Sequence, residues 1–167
     1  ESKVFGMAQG IRSVMALPDP AGVRQSAMEI DDDLTVYRVS CPIGVIGAIF
    51  ESRPDAVPQI SSLCVKSGNA VILKGGREAQ NSNKLIVGLL TDAIKKVSGV
   101  PEAAVQMIET RAEVADMLKE EKYINLVVPR GSNDFVKYIQ ENTRIPVLGH
   151  SEGICHNYVD KDADLSK

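Results

Sequence analysis

Arginine and lysine side chains follow three apolar, β-type runs of this sequence, at the points where each run gives way to a short loop. The loops are Glu51-Ser52-Arg53-Pro54 after VIGAIF, Lys74-Gly75-Gly76-Arg77 after AVIL, and Pro129-Arg130-Gly131-Ser132 after INLVV. In an open parallel sheet the carboxyl ends of the strands lie side by side, and ligands bind in the crevice beyond them. Cationic groups gathered at that edge predict a ligand that carries phosphate.

Each loop also has a structural explanation. Gly75 and Gly76 let another group approach the backbone closely, so Lys74 and Arg77 could reach ribose hydroxyls or a phosphate; the alternative is a flexible strand-to-helix turn with solvated cations. This loop matches neither the GxGxxG nor the GxxxxGK[ST] fingerprint.

The other two loops leave similar alternatives. Gly131 and Ser132 open a helix whose N-terminus favours an anion, although any helix benefits from a serine cap. Arg53 could instead form an ion pair with Glu51. Because all three loops are expected at one sheet edge, together they favour a nucleotide or phosphate ligand.

Composition restricts the classes of partner. The 167-residue chain has a net charge of −3, 4% aromatic residues and no Trp. It therefore lacks the basic field that binds nucleic acid or an anionic membrane surface, and it offers few stacking platforms for single-stranded nucleic acid. We predict a small-molecule substrate, with neither nucleic acid nor membrane as partner.

Three cysteines, Cys41, Cys64 and Cys155, are far apart and form no CxxC pair. This pattern favours a reducing, cytoplasmic compartment and predicts neither a disulfide framework nor a metal site. The neighbours Cys155 and His156 would point to opposite faces of a strand, which excludes a nucleophile–base pair. All three cysteines are expected to be small buried apolar residues.

Hydrophobic periodicity predicts a helix over residues 3–15 and a β-hairpin from residues 23–30 and 34–39. Strands that begin near residues 43, 70, 104 and 124 then alternate with helices. The clearest helix covers residues 81–97 and has one apolar stripe that is expected to face the core: Leu85, Ile86, Leu89, Leu90, Ala93, Ile94 and Val97. Asp55 and Ser132 are expected as helix N-caps, and Gly68 is expected as the C′ residue of the helix that Asp55 begins. Further strands near residue 147 and over 154–159 would complete a doubly wound α/β sheet.

Five long segments, in order, resemble γ-glutamyl phosphate reductase and equally the reductase half of the bifunctional proline-pathway synthase, both in the aldehyde dehydrogenase superfamily. They are GMAQGIRSVMALPDPAG, CPIGVIGAIFESRPD, LCVKSGNAVILKGGREAQNSN, LVVPRGSNDFV and IPVLGHSEGICHNYVDKDADL. The resemblance implies reduction of γ-glutamyl phosphate by NADPH to glutamate γ-semialdehyde, with release of phosphate. It implies a Rossmann-like sheet of the aldehyde dehydrogenase type with a protruding hairpin.

The resemblance also implies residue roles. Lys74 matches the lysine that contacts the adenine ribose, and Arg77 replaces an acidic residue of NAD-preferring relatives, where a guanidinium would hold a 2′-phosphate. Gly131 and Ser132 match a Gly-Ser pair that faces the pyrophosphate. Ser52, Gly75, Gly76 and Arg130 complete the cofactor-binding set. Arg53 aligns with an asparagine that stabilises an oxyanion and is the predicted catalytic residue, acting on the charge that develops at the acyl phosphate.

In such enzymes a cysteine thiolate attacks the acyl phosphate to give a thioester, and hydride transfer follows. That cysteine lies downstream of the matching region, so we expect a cofactor-binding part that is inactive alone. The expected divisions are residues 1–22 (helix and linker), 23–41 (hairpin, an oligomerisation arm) and 42–167 (NADP-binding domain).

A homo-oligomer is expected, and an association with glutamate kinase is left open. Two other interpretations remain at this point. One is part of an NAD-dependent aldehyde dehydrogenase, and the other is a non-catalytic nucleotide-binding or assembly module.

Overall fold

Strands and helices alternate through most of this protein, whose computed structural model describes residues 2–51, 53–149 and 156–164. The helices are α1 (Ser2–Met15), α2 (Ala56–Lys66), α3 (Gln80–Ile94), α4 (Arg111–Met117) and α5 (Asn133–Glu141). The strands are β1 (Arg24–Asp31), β2 (Leu34–Val39), β3 (Val45–Ile49), β4 (Ala70–Lys74), β5 (Val105–Met107) and β6 (Leu126–Pro129).

Four of these strands form a parallel sheet in the order β5-β4-β3-β6. The chain adds β4 and β5 on one side of β3, then crosses back and places β6 on the other side. The direction of strand addition thus reverses between β3 and β6. In open α/β sheets ligands bind in the crevice beside such a reversal, outside the carboxyl ends of the strands.

Both faces of the sheet are covered by helices, which confirms the predicted doubly wound α/β architecture. Successive residues of a strand point to opposite faces, so the strands supply two apolar layers. One layer packs against α2 and α3; its buried residues are Ile46, Ala48, Phe50, Val57, Cys64, Val71, Leu73 and Val105. The other packs against α4 and α5; its buried residues are Ile49, Val114, Met117, Leu118, Ile124, Val127, Ile139 and Ile145.

Two asparagines tie together the amino edge of the sheet. The side-chain oxygen of Asn69 accepts a hydrogen bond from the Gly44 N–H at 2.8 Å, and that of Asn125 accepts one from the Val45 N–H at 2.9 Å. Gly44 has a φ of +122° and faces the Asn125 side chain closely. These bonds fix the backbone at the start of β3. This amino edge of the sheet lies opposite the carboxyl edge, where the site is predicted.

The predicted β-hairpin is confirmed as an antiparallel pair, β1 and β2. Asp33, with a φ of +61°, makes its turn. Every residue of both strands is exposed, including the cross-strand pair Met28 and Val36. The hairpin is therefore separate from the parallel sheet and contributes nothing to either buried layer. The predicted N-terminal helix is also confirmed, and α1 packs against α2.

The two last predicted strands are not formed in the described part of the chain. Val147 makes only an isolated parallel bridge to Val127, and residues 156–159 have no strand structure. Residues 154 and 155 lie outside the described residues. A short apolar run becomes a strand only where its backbone pairs with a neighbour over several residues, and pattern alone does not show how far the pairing extends.

Some residues expected in the core are exposed. Leu85 and Leu89 of α3 are 67% and 63% exposed, and Val97 lies beyond the end of that helix. The helix buries a narrower stripe, with Ile86, Leu90 and Ile94 against the first layer; residues flanking a stripe of this width face outward even when they are apolar.

The expectation for Cys41 was wrong, because it precedes β3 outside the sheet and is exposed. Cys64 is buried as expected. None of the helices in the described segments is both long and apolar enough to span a bilayer.

Candidate functional site

The three predicted loops meet at the carboxyl edge of the sheet. The strand ladders continue beyond the strand ends: the Arg130 N–H donates to the Ile49 carbonyl at 2.7 Å, and the Phe50 N–H donates to the Lys74 carbonyl at 2.9 Å. These two bonds join the loops after β6, β3 and β4 into one rim. The predicted placement is therefore confirmed, while the roles of the side chains stay predictions.

Three arginines of this rim are available to bind an anion. Arg53, Arg77 and Arg130 are exposed, and none forms an ion pair within the described residues. The ion pair between Arg53 and Glu51, which the sequence left as an alternative, is absent. Guanidinium groups with free donors bind phosphate in a bidentate fashion. Ser52, the remaining predicted residue of this loop, lies outside the described residues.

Lys74 behaves differently from the arginines. Its side chain is half-buried, and its Nζ donates to the Gly75 carbonyl at 2.7 Å. This bond folds the lysine back onto its own loop and supports the turn after β4. Contact with a ribose would require the ammonium group either to exchange this bond or to use one of its two remaining donors.

Gly75 is a site of close approach, as predicted, but the group that approaches is part of the protein. A Cβ at Gly75 would overlap the side-chain amide of Asn83 and lie 3.3 Å from Phe50 Cε2. Asn83 is 1% exposed, and its Oδ1 has no hydrogen-bond partner within the described structure. A buried acceptor without a partner is costly, so this oxygen is suited to a donor from a ligand or a bound water. Gly76 lies against the Glu78 side chain.

The loop after β6 presents a helix N-terminus to the rim. Ser132 is the N-cap of α5, and its Oγ accepts from the Phe135 N–H at 3.4 Å. The predicted cap is thus confirmed. A Cβ at Gly131 would lie 2.9 Å from the Phe135 ring and 3.5 Å from Glu51 Oε1, so glycine keeps this turn narrow. The free N–H groups and dipole of such a terminus favour an anion, although Asp134 in the first turn already supplies one negative charge.

Asp55 occupies the N-cap position of α2, but its side chain makes no capping hydrogen bond. Its backbone has αR rather than extended geometry, and the capping interaction needs the extended form. The predicted C-terminus of that helix is confirmed, with Gly68 at a φ of +73° just after the Ser67 cap.

A small recess beside Arg77 contains residues that the sequence analysis missed. Its walls come from the loop after β4, the first turns of α3 and the end of β5; the lining residues are Gly75, Gly76, Arg77, Gln80, Asn83, Met107, Ile108 and Glu109. Glu109 accepts hydrogen bonds from Gln80 Nε2 and forms a 2.8 Å ion pair with Lys84 Nζ. The carboxyl end of β5 therefore contributes to the rim as a fourth junction.

The backbone of that fourth junction is held by a capping box. Glu113 Oε2 accepts from the Glu109 and Thr110 N–H groups at 3.0 and 2.7 Å, and the Thr110 Oγ1 accepts from the Glu113 N–H at 3.1 Å. Hydrogen bonds from the Thr110 hydroxyl and from both N–H groups lower the pKa of the Glu113 carboxyl. The T-x-x-E spacing after an apolar run is the sequence signal that could have identified this helix start.

Neither cysteine in the described residues has the features of a nucleophile at this rim. Burial raises the pKa of the Cys64 thiol to about 11, which leaves almost no thiolate at neutral pH. Cys41 is followed by Pro42, which packs on Gly68 before β4 and thus at the amino edge. His156 is exposed, and Cys155 lies outside the described residues. Within those residues no group of three or more His, Cys, Asp or Glu side chains could hold a metal ion.

Comparison with known proteins gives consistent matches over nearly the whole chain. The model of the aldehyde dehydrogenase family matches residues 3–167. Gamma-glutamyl phosphate reductase of Methanosarcina mazei is 59% identical over 164 residues, which is 98% of this chain and 37% of that protein. The chain thus spans little more than a third of the length of this relative.

Two crystal structures of gamma-glutamyl phosphate reductases are similar to the structure of this chain. The Thermotoga maritima structure has a TM-score of 0.88 at 38% identity and is covered over 40% of its length; the Saccharomyces cerevisiae structure has a TM-score of 0.82 at 49% identity and is covered over 42%. Each match includes 99% of this chain.

Proposed function

This chain belongs to the aldehyde dehydrogenase family, and we propose that it forms the NADPH-binding edge of a reductase that converts γ-glutamyl phosphate to glutamate γ-semialdehyde in proline biosynthesis. The observation that carries the proposal is the set of three exposed arginines, without ion pairs in the described structure, on one rim. Relatives that are 59% and 49% identical to this chain carry the matching name. Enzymes of this family use a nicotinamide dinucleotide, which supplies a hydride when bound.

The rim offers complementary groups for each part of that cofactor. The Gly131–Ser132 turn and the free N–H groups of α5 suit the pyrophosphate, because glycine keeps the turn narrow and the helix dipole favours an anion. Lys74 and the Gly75–Gly76 backbone lie where a ribose would pass. Asn83 lines the recess beside them, and its buried Oδ1 has no hydrogen-bond partner within the described structure. Arg77, at the mouth of the same recess, is suited to a 2′-phosphate.

Arg53 is the residue of this chain that we assign to the substrate. It follows β3 beside the point where the strand order reverses, at the edge where ligands bind in open α/β sheets. There it would hold the acyl phosphate and offset the negative charge that increases during reduction. The nucleophile of the reaction is neither Cys41 nor Cys64, because the first lies at the far edge of the sheet and the second is buried as a thiol.

The exposed hairpin is proposed as an oligomerisation arm. A two-stranded hairpin alone is marginally stable in water, and this one exposes apolar side chains such as Met28 and Val36. Pairing with a second copy of the protein would cover them. This pairing would make the protein a homo-oligomer. The proposed location is the cytoplasm, because the cysteine pattern of the sequence favours a reducing compartment.

The chief alternative is an NAD-dependent member of the same family. Arg77 argues against it, because a positive charge at the ribose end of the rim favours a cofactor with an added phosphate. A tenfold preference needs only about 1.4 kcal/mol, which is within the range of one charge-assisted hydrogen bond.

Replacing Arg77 by Glu tests the assignment. In the complete protein, Arg77→Glu should weaken NADPH binding by about 100-fold, because it removes charge-assisted hydrogen bonds and adds repulsion, and it should change NADH binding only slightly. The measurement is titration with each cofactor by calorimetry. Arg144→Glu is the matched control, since Arg144 is 88% exposed and only weakly paired with Glu121. Equal losses of NADPH and NADH would show that Arg77 does not bind the 2′-phosphate.

A further inference from the structure

Glu109, an acidic residue, lines the same recess as Arg77. A carboxylate in this position opposes the binding of a phosphate in two ways. It can pair with the guanidinium and occupy its donors, and it repels the incoming anion directly. The proposed 2′-phosphate subsite therefore contains a negatively charged residue. The structure shows which groups hold and neutralise this carboxylate.

Both oxygens of Glu109 are bound by α3. Lys84 Nζ contacts Oε1 at 2.8 Å, and Gln80 Nε2 donates to Oε2. Gln80 and Lys84 are four residues apart, so they lie on the same face of the helix and grip the carboxylate together. The side chain of Glu109 is 35% exposed and that of Lys84 is 51% exposed, so the pair is open to solvent and to ligand.

The main chain of Glu109 is fixed from the other side. Its N–H donates to Glu113 Oε2 at 3.0 Å, within the capping box that starts α4. The backbone position of Glu109 is thus fixed, and its side-chain orientation is set by Gln80 and Lys84 on α3. Within the described structure no ion pair joins Glu109 to Arg77; the ion pair of Glu109 is with Lys84.

We propose that Lys84 and Gln80 are positioning residues that hold and neutralise Glu109, keep it from pairing with Arg77, and thereby set the preference for NADP over NAD. The inference rests on the proposed function, because it assigns the 2′-phosphate to Arg77. It extends that assignment, because the preference for NADP would also depend on Lys84, a residue that need not contact the cofactor.

The test is a two-residue cycle in the complete protein, read out as the dissociation constants of NADPH and NADH at low ionic strength, where exposed charges are least screened. Lys84→Met releases Glu109 and should weaken NADPH about tenfold, equivalent to about 1.4 kcal/mol, with NADH unchanged within about twofold. Glu109→Gln alone should leave NADPH binding equal or tighter. The double variant should recover the NADPH affinity that Lys84→Met lost.

Lys95→Met is the matched control, because Lys95 pairs with Asp92 at 3.5 Å farther along the same helix. It should leave both cofactors unaffected. Thermal unfolding of every variant shows whether α3 and its surroundings remain folded. Equal weakening of both cofactors by Lys84→Met would mean that the lysine only supports the fold.

A double variant that binds NADPH as weakly as Lys84→Met would also overturn the inference, since the loss would then come from a direct contact of Lys84 with the cofactor. These failures are distinct from failure of the proposed function. In that case the unmodified protein itself would show no preference for NADPH over NADH.

Discussion

The turn after β4 is closely packed, because a Cβ at Gly75 would overlap the side-chain amide of Asn83. Two glycines after a strand predicted a close approach to the backbone, and the approach exists. The approaching group is part of the protein: it is the buried side-chain amide of Asn83, eight residues later on α3. A sequence shows that a side chain is missing, but it does not show which neighbour fills the space. That neighbour is decided by how α3 packs on the sheet.

Gly75 and Gly88 should respond in opposite ways to alanine. Gly75→Ala should lower the free energy of unfolding by about 1–3 kcal/mol, because the added methyl group meets the Asn83 amide and the Phe50 ring in a packed region. Gly88 lies within α3 and is exposed, and a Cβ there would meet nothing within 4 Å. Gly88→Ala should raise the free energy of unfolding by about 0.5–1 kcal/mol.

Urea denaturation of the two variants measures this difference. A neutral Gly75→Ala would mean that Asn83 can move aside, and the recess would then be deformable. In that case Arg77 and Asn83, which line the same recess, would have no fixed positions relative to each other. The proposed arrangement of the ribose subsite would then be wrong.

At the scale of elements, hydrophobic periodicity was sufficient to predict the type of each helix or strand that buries an apolar stripe in the sheet core. The alternation from β3 to α5 was predicted because β-branched runs and helical stripes differ in period, and the seven-residue length of α4 agrees with the short interval before β6. The strand expected over residues 154–159 is absent from its described part, 156–159. The expected burial of Leu85 and Leu89 was also wrong, because the width of a buried stripe depends on neighbouring elements.

The capping box of α4 predicts a specific dependence of stability on pH. The pKa of Glu113 is lower in the folded protein than in the unfolded chain, so the folded state binds fewer protons at this site. Its stabilising contribution is fully present above the unfolded value of about 4.3. It is lost as the pH falls below that value and through the lower pKa of the folded state.

Glu113→Gln should therefore reduce stability near pH 7 and flatten the acid limb of the stability curve, because the neutral amide has no proton to gain. Glu102→Gln is the control, since Glu102 is also exposed but belongs to a separate turn before β5. The measurement is urea denaturation from pH 3 to pH 7. An acid limb as steep in Glu113→Gln as in the unmodified protein would show that the capping box is not the source of the dependence.

At the scale of the whole molecule, the site is assembled from segments that are distant in sequence and meet only because their strands are parallel and adjacent. This made the meeting of three loops predictable: parallel strands bring their carboxyl ends to one edge. The fourth junction, at Glu109, could not be found from cationic residues, because it contributes a carboxylate held by Lys84. The chain is acidic overall, so the rim is a local feature that net charge does not reveal.

The same arrangement separates the two edges of the sheet by role. The amino edge is fixed by Asn69 and Asn125 through hydrogen bonds to the start of β3, so both side-chain oxygens already have partners. The carboxyl edge keeps three arginines and a helix N-terminus available. We therefore propose that a phosphorylated dinucleotide binds along the carboxyl edge of the sheet.

A crystal structure of the complete protein with NADPH tests that claim most directly. The pyrophosphate should lie at the Gly131–Ser132 turn and the 2′-phosphate within hydrogen-bonding distance of the Arg77 guanidinium, with Glu109 still bound to Lys84. A cofactor bound at the amino edge beside Asn69 and Asn125, or a 2′-phosphate directed away from Arg77, would contradict it.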